Sequence, residues 1–190
     1  MTTVTIIGKG NMANAIGGVV ASGGNTVEYA GREGGTVNGE IIVLAVPYPE
    51  VDAVITTYGD ALAGKTIVDI TNPLDFATFD GLVVPADSSA AAVIASKVPS
   101  AKVLKAFNTT LAATLSSKTV GGLLPTTVLV AGDDDTAKET LMEVIKAGGL
   151  RAIDAGSLKR ARELEAIGFL QISLAAAERI SWTGGFAVAP

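Results

Sequence analysis

The chain has no cysteine and no histidine among its 190 residues, and only 17% of them are charged. Without cysteine it forms no disulfide and no thiolate, which suits a cytoplasmic location. Without histidine it lacks the usual general base, the usual Ser/His pair and most transition-metal sites. The net charge of −5 and the lack of any basic stripe argue against a nucleic-acid partner. No apolar run reaches the roughly 18 residues of a membrane span. The first residues read as a strand and a glycine turn, not as the charged-then-apolar pattern of a signal peptide. Apolar character is plentiful, with 48% hydrophobic residues and a mean hydropathy of +0.46. That balance predicts wide burial and a subunit interface. The length fits one domain, or one domain with a helical extension.

The opening segment carries the main signal. Thr3-Val4-Thr5-Ile6-Ile7 is a β-branched apolar run that passes into Gly8-Lys9-Gly10-Asn11-Met12-Ala13 and then into a helix-compatible stretch. A strand, a Gly-x-Gly-x-x-Ala turn and a helix start, in that order, form the phosphate-binding corner of a dinucleotide fold. Gly8 permits the turn, Gly10 lets a pyrophosphate approach the backbone, and Ala13 lets the helix pack close on the strand. The helix N-terminus directs free N–H groups and the positive end of its dipole at the phosphates.

Strand and helix signals alternate after this corner. Strands are predicted near Val4–Ile7, Val27–Ala30, Ile41–Ala45, Thr66–Ile70, Val103–Ala106, Thr127–Ala131 and Leu150–Asp154. Helices are predicted over Met12–Ser22, Pro49–Tyr58, Ser89–Lys97, Thr136–Ala147 and Leu158–Ser181. Continuous apolar strands suit a parallel sheet covered on both faces. The expected architecture is an α/β, Rossmann-type doubly wound parallel sheet with a C-terminal helical extension. Residues 1–155 form the nucleotide-binding domain, and residues 156–190 add a helix and tail. Gly31 to Glu40 is too short and too rich in glycine for a helix, so this edge is expected to be trimmed to a loop. Asp133-Asp134-Asp135 reads as the start of a helix, not as a cation site.

The residues after the second strand select the cofactor. NAD sites carry an acidic residue there for the ribose 2′-hydroxyl. Here Glu28 lies too early, inside the strand, and the strand ends in Gly31-Arg32-Glu33. Arg32 stands where a 2′-phosphate would sit and has the planar fork that phosphate favours, while Lys9 adds a second cation. NADP is therefore the expected dinucleotide; the alternative is that Arg32 simply pairs with Glu33. Further segments leave the sheet where ligands bind: Ala45-Val46-Pro47-Tyr48, Thr71-Asn72-Pro73 and Ala106-Phe107-Asn108-Thr109. Asn72 serves equally well as a helix cap. Asn108 is embedded in an apolar run and needs partners if buried. Glu163 and Glu165, near Arg160 and Arg162, read as ion pairs or as part of an interface.

Several chemistries are excluded. Tyr29, Tyr48 and Tyr58 are followed four positions later by Glu33, Asp52 and Leu62, so the Tyr-x-x-x-Lys of short-chain dehydrogenases is missing. The chain is too short to supply the catalytic lysine on a large helical second domain that β-hydroxyacid dehydrogenases use. Hydride exchange with another redox ring needs only positioning and electrostatics from the protein, and no side chain acting as a base.

These motifs together resemble the coenzyme F420-dependent NADP oxidoreductase family, and also the cytosolic domain of the STEAP metalloreductases. The matching segments are Gly8–Ala13, Gly31-Arg32, Val46-Pro47, Asn72-Pro73, Ser88-Ser89-Ala90-Ala91, Lys105-Ala106-Phe107-Asn108-Thr109, Gly132-Asp133-Asp134 and Ala161-Arg162-Glu163-Leu164-Glu165. The resemblance implies that Gly8, Lys9, Gly10, Asn11 and Met12 hold the pyrophosphate, that Arg32 holds the 2′-phosphate, and that Val46, Pro47 and Tyr48 line the dinucleotide pocket. It places Thr71, Asn72, Pro73, Ala106, Phe107 and Asn108 beside the nicotinamide. It also implies a homodimer with the C-terminal helix in the interface. The chain departs from the family at Gly31, where a serine often stands, and in having no histidine near the acceptor. The expected partner is a small-molecule redox acceptor, flavin-like or otherwise planar, with no metal. The alternative function is an NADP sensor without chemistry, in which Trp182 or Phe186 of the tail would block the nicotinamide face.

Overall fold

The computed structural model describes residues 1–189. Its order is β1 (Thr3–Ile7), α1 (Asn11–Ser22), β2 (Thr26–Ala30), β3 (Ile41–Leu44), α2 (Val51–Tyr58), β4 (Thr66–Asp69), α3 (Ala90–Lys97), β5 (Lys102–Lys105), α4 (Ala112–Ser117), β6 (Thr119–Val120), β7 (Leu124–Pro125), β8 (Thr127–Gly132), α5 (Asp135–Ala147), β9 (Arg151–Gly156) and α6 (Ala161–Ala176). Seven strands form one sheet in the order β2-β1-β3-β4-β5-β8-β9. The order reverses at β1, which pairs in parallel with both β2 and β3. This is the switch point at which doubly wound sheets bind ligands.

The strands show why their sequences are continuously apolar. Val4, Ile6, Ile41, Val43, Val68 and Leu104 face one core with α1, α4 and α5. Ile7, Ile42, Leu44, Ile67 and Val103 face the other with α2 and α3. Alternation along the central strands β1, β3, β4 and β5 therefore buries nearly every side chain, whereas the edge strands β2 and β9 stay largely exposed or half-buried. Each fully buried Ile or Leu contributes about 1.5–3 kcal/mol.

The parallel expectation needs one correction. β8 runs antiparallel to β5, through Leu104↔Gly132 and Lys105↔Ala131, and β9 is parallel to β8. The segment after β5 makes α4 and the small β6–β7 hairpin, neither of which the sequence reading anticipated. It supplies no crossover helix to carry the chain back across the sheet. The next strand must therefore return in the opposite sense.

Gly31–Glu40 is a loop, as its glycines predict, closed by Tyr58 Oη donating to Gly31 O at 2.6 Å. Asp134 caps α5, accepting from Ala137 N at 2.8 Å. The last helix is shorter than the predicted Leu158–Ser181. A single 3₁₀ turn covers Leu158–Arg160, and α6 ends at Ala176. The stop is a Schellman-type closure in which Arg179 N donates to Leu174 O at 2.8 Å, with Glu178 at φ 55° where glycine is usual. A glutamate in that role leaves no signal in the sequence.

Candidate functional site

Three connected depressions follow the C-terminal ends of β1, β3, β4 and β5. The first, about 380 Å³, is lined by Gly8, Lys9, Gly10, Gly31, Arg32, Glu33, Ala45, Val46, Pro47 and Glu50. The second, about 290 Å³, continues over Asn11, Met12, Tyr48, Ile70, Thr71 and Asn72. The third, about 420 Å³, passes Asn72 and Asn108 to Thr110, Leu111, Ala112, Ala113, Ile172 and Trp182. Neighbouring depressions share walls, so they form one trough.

The phosphate corner has the geometry its glycines suggest. Gly8 has φ 132°, and a Cβ there would lie 2.2 Å from Ala45 O, so the backbone just after β3 excludes a side chain. Beyond Gly10 and its chain neighbours no protein atom lies within 4 Å of a Cβ position there, which leaves a cradle open to a ligand. Gly10 is also the N-cap of α1 and has no side chain to cap it, so the first helical N–H groups are left for an outside acceptor. This fits a dinucleotide pyrophosphate. Glu28 is engaged elsewhere, accepting from Thr5 Oγ1 and Asn38 Nδ2 at 3.2 Å each. Arg32 pairs with Glu50, not with Glu33, and its side chain stays 55% exposed over the first depression. Its pKa is raised by the hydrogen bond and charge of Glu50. Burial raises the Tyr48 hydroxyl above its ordinary value.

At the far end two amides interlock. Asn72 Nδ2 donates to Asn108 O at 2.8 Å, and Asn108 Nδ2 donates to Asn72 Oδ1 at 2.9 Å and to Leu164 O at 2.8 Å. Gly168 of α6 makes room for them, because a Cβ there would stand 2.2 Å from Asn72 Oδ1 and 2.8 Å from Asn108 O. Asn108 is turned toward α6 by Phe107, whose φ is 63°. A non-glycine residue in that region is uncommon, and such strain gathers at functional sites. Thr110 steadies the turn by donating through its Oγ1 to Phe107 O at 2.7 Å. Ala106, Phe107 and Pro73 are buried behind the trough and do not line it. The other named residues meet along it.

A buried charge cluster supports this end. Lys105 Nζ lies 2.8 Å from Asp69 Oδ2 and 2.8 Å from Glu165 Oε1, and donates to Thr71 O at 2.5 Å. Asp69 Oδ1 accepts from Thr71 N at 2.8 Å. Glu165 accepts from Ala90 N at 2.9 Å and Ala91 N at 3.3 Å, the first donors of α3. Burial pushes the Glu165 carboxyl up, opposed by Lys105. The cluster thus holds the Thr71–Asn72 turn, β5, α3 and α6 to one another. Glu163 and Glu165 both form ion pairs, as expected: Glu163 with Arg160 at 3.2 Å, and Glu165 with Lys105 in place of the neighbouring arginines. Glu165 faces inward because it caps α3 and neutralises Lys105.

No protein-family model matches the chain. It is 32% identical over 140 residues to the F420-dependent NADP reductase of Methanocaldococcus jannaschii, an overlap of 72% of this chain and 62% of that protein. The chain is a homologue of the F420-dependent NADP reductases. It is also 37% identical over 128 residues to the metalloreductase STEAP3 of Rattus norvegicus, which is 67% of this chain and 25% of that protein. The chain therefore spans less than two thirds of the length of these two curated relatives. A crystal structure from Arthrobacter sp. FB24, provisionally assigned as an F420-dependent NADP reductase, superposes with a TM-score of 0.85 at 25% identity, and each chain is covered in full.

Sequence reading missed Asp69, Lys105, Gly168, Ile172 and Phe76 as parts of this reductase-like site. A signal existed for the first two. Asp69 and Lys105 are opposite charges ending two apolar strands, and they are direct partners in the sheet register. Phe76 and Gly168 carried none. No group of acidic side chains suited to a metal ion occurs among the described residues, and no described helix is long and apolar enough to cross a membrane.

Proposed function

We propose that the chain is an NADP(H)-dependent oxidoreductase that exchanges hydride with a planar acceptor. The observation that carries this reading is the continuous trough from the phosphate cradle to an open pocket beyond the Asn72–Asn108 pair. Gly8, Lys9, Gly10, Asn11 and Met12 would hold the pyrophosphate and Arg32 the 2′-phosphate. Val46, Pro47, Tyr48 and Thr71 would line the path, and Asn72 and Asn108 would face the nicotinamide. Bound NADPH supplies a hydride, and a proton from water completes the two-electron reduction of the acceptor. The protein orients the two rings; no side chain need act as a base. The names and NADP reductase activity of the homologues support the same reading.

The sensor alternative expects the tail to block the nicotinamide face. Trp182 instead lines one wall of a pocket of about 420 Å³, which favours turnover. Stopped-flow absorbance at 340 nm with a panel of flavins, F420 and quinones tests the proposal. NADPH oxidation by at least one supports it, and a flat trace with all of them refutes it.

The same reading includes a cytoplasmic homodimer. The supporting feature is α6, which buries Glu165, Gly168 and Gln171 while Ile167 and Leu170 face outward. α6 also buries Ala161, Leu164 and Ala175, but the exposed Ile167 and Leu170 give its outer face an apolar patch that a second surface would cover.

A further inference from the structure

We infer that the pocket beyond the amide pair receives an uncharged planar ring, a flavin or quinone without a phosphate, sulfonate or carboxylate tail. The inference rests on the oxidoreductase reading and names the acceptor's chemistry. Every described residue lining this pocket is apolar or carries a neutral amide or hydroxyl. Its size, about 420 Å³, lies in the usual range for small-molecule sites. An anionic tail drawn into such a wall would lose hydration without gaining a cationic partner. An uncharged ring loses little and buries its faces.

The shape is also specific. Phe76 and Trp182 line the pocket while each remains more than half exposed. They are the aromatic faces available to stack on a flat ligand. Phe76 is held in place. Its ring meets Phe79 edge-on, with centroids 5.8 Å apart at 86°. Phe79 sits at φ 54°. Its N–H donates to Asp75 O at 2.8 Å, and its carbonyl accepts from Ser173 Oγ of α6 at 3.1 Å. The Asp75 carboxylate closes the turn by accepting from Ala77 N and Thr78 Oγ1. A strained turn kept by several bonds presents Phe76 at a fixed angle. Fixing the ring in advance removes an ordering cost from binding.

Trp182 is the chain's single tryptophan, so its fluorescence reports occupancy without any turnover. With NADP⁺ saturating, riboflavin is titrated against FMN, and menadione against its sulfonate. The expected result is quenching by the uncharged member of each pair at a concentration lower by about tenfold or more. The Ala113→Lys variant, which adds a cation to the wall, should narrow both gaps. Equal or tighter binding of FMN, menadione sulfonate or F420 by the unaltered protein overturns the inference, as does the lack of quenching by any ring. Which pair shows the larger response separates flavin from quinone. Quenching by riboflavin or menadione without NADPH oxidation refutes the oxidoreductase reading but leaves the uncharged pocket standing. NADPH oxidation with anionic acceptors alone does the reverse.

Discussion

At one end of the trough Lys9, Arg32, Glu33 and Glu50 bring four charged side chains to a single cleft. At the other end Met12, Ile70, Leu111 and Ile172 surround two interlocked amides, and Phe76 and Trp182 flank them. The first end is made by one short turn and two strand ends. The second gathers residues from α1, the turns after β4 and β5, α4, α6 and the tail. The difference teaches how each kind of recognition is encoded. A polyanion is met by local backbone and a few charges, whereas a neutral ring is met by a surface that distant segments must assemble.

The largest expected effect lies beneath the second end. Lys105→Met leaves Asp69 and Glu165 buried with no cation between them, and breaking a buried pair in this way costs about 3–5 kcal/mol. Urea unfolding followed by circular dichroism measures it. A loss below about 1 kcal/mol would mean that the cluster does not hold the pocket together.

Arg32→Ala tests the first end. NADPH binding should weaken by about tenfold or more, the scale of losing a charged partner for phosphate, while NADH binding stays the same. Equal losses for both would remove Arg32 from the 2′-phosphate. Gly168→Ala should separate the two ends. The added methyl collides with Asn72 and Asn108 O, so kcat should fall by roughly tenfold. Affinity for 2′,5′-ADP, which reaches only the charged end, should not change. A parallel loss of that affinity would show that the ends are not independent.

The smallest effect concerns Glu50, which occupies Arg32 through their ion pair. Glu50→Gln should free the guanidinium and tighten NADPH roughly threefold, the scale of an exposed pair. NADH is the control. Weaker NADPH binding in the variant would show that Glu50 holds Arg32 in position instead of competing for it.

The same contrast governs what the sequence disclosed. The Gly8–Ala13 corner, the trimmed Gly31–Glu40 loop and the acidic start of α5 were legible because each is encoded within a few adjacent residues. The reversed β8 was not, since its direction depends on what the preceding connection fails to cover. The helical spacing of Leu158, Ala161, Leu164, Ile167, Leu170 and Leu174 made the last helix legible as an element. It did not show which face is buried, because Glu165 and Gln171 are drawn inward by Lys105 and by Thr109 O. Asp69 and Lys105 could have been paired in advance, since each follows an apolar pair within its strand, Ile67-Val68 and Val103-Leu104. Phe107 and Phe79 in left-handed turns could not, because aromatic residues carry no preference for that conformation.

Glu165 follows Asp69 and Lys105 by many residues, and it also completes the N-terminus of α3. Lys105 already meets Asp69 within the sheet, and Glu165 is the one member of the cluster that α6 contributes. The same helix brings Gly168 against the amide pair and Ile172 to the wall of the far pocket. α6 is therefore a clasp: the buried seam and the far pocket are closed by one element, and whatever loosens that helix opens both.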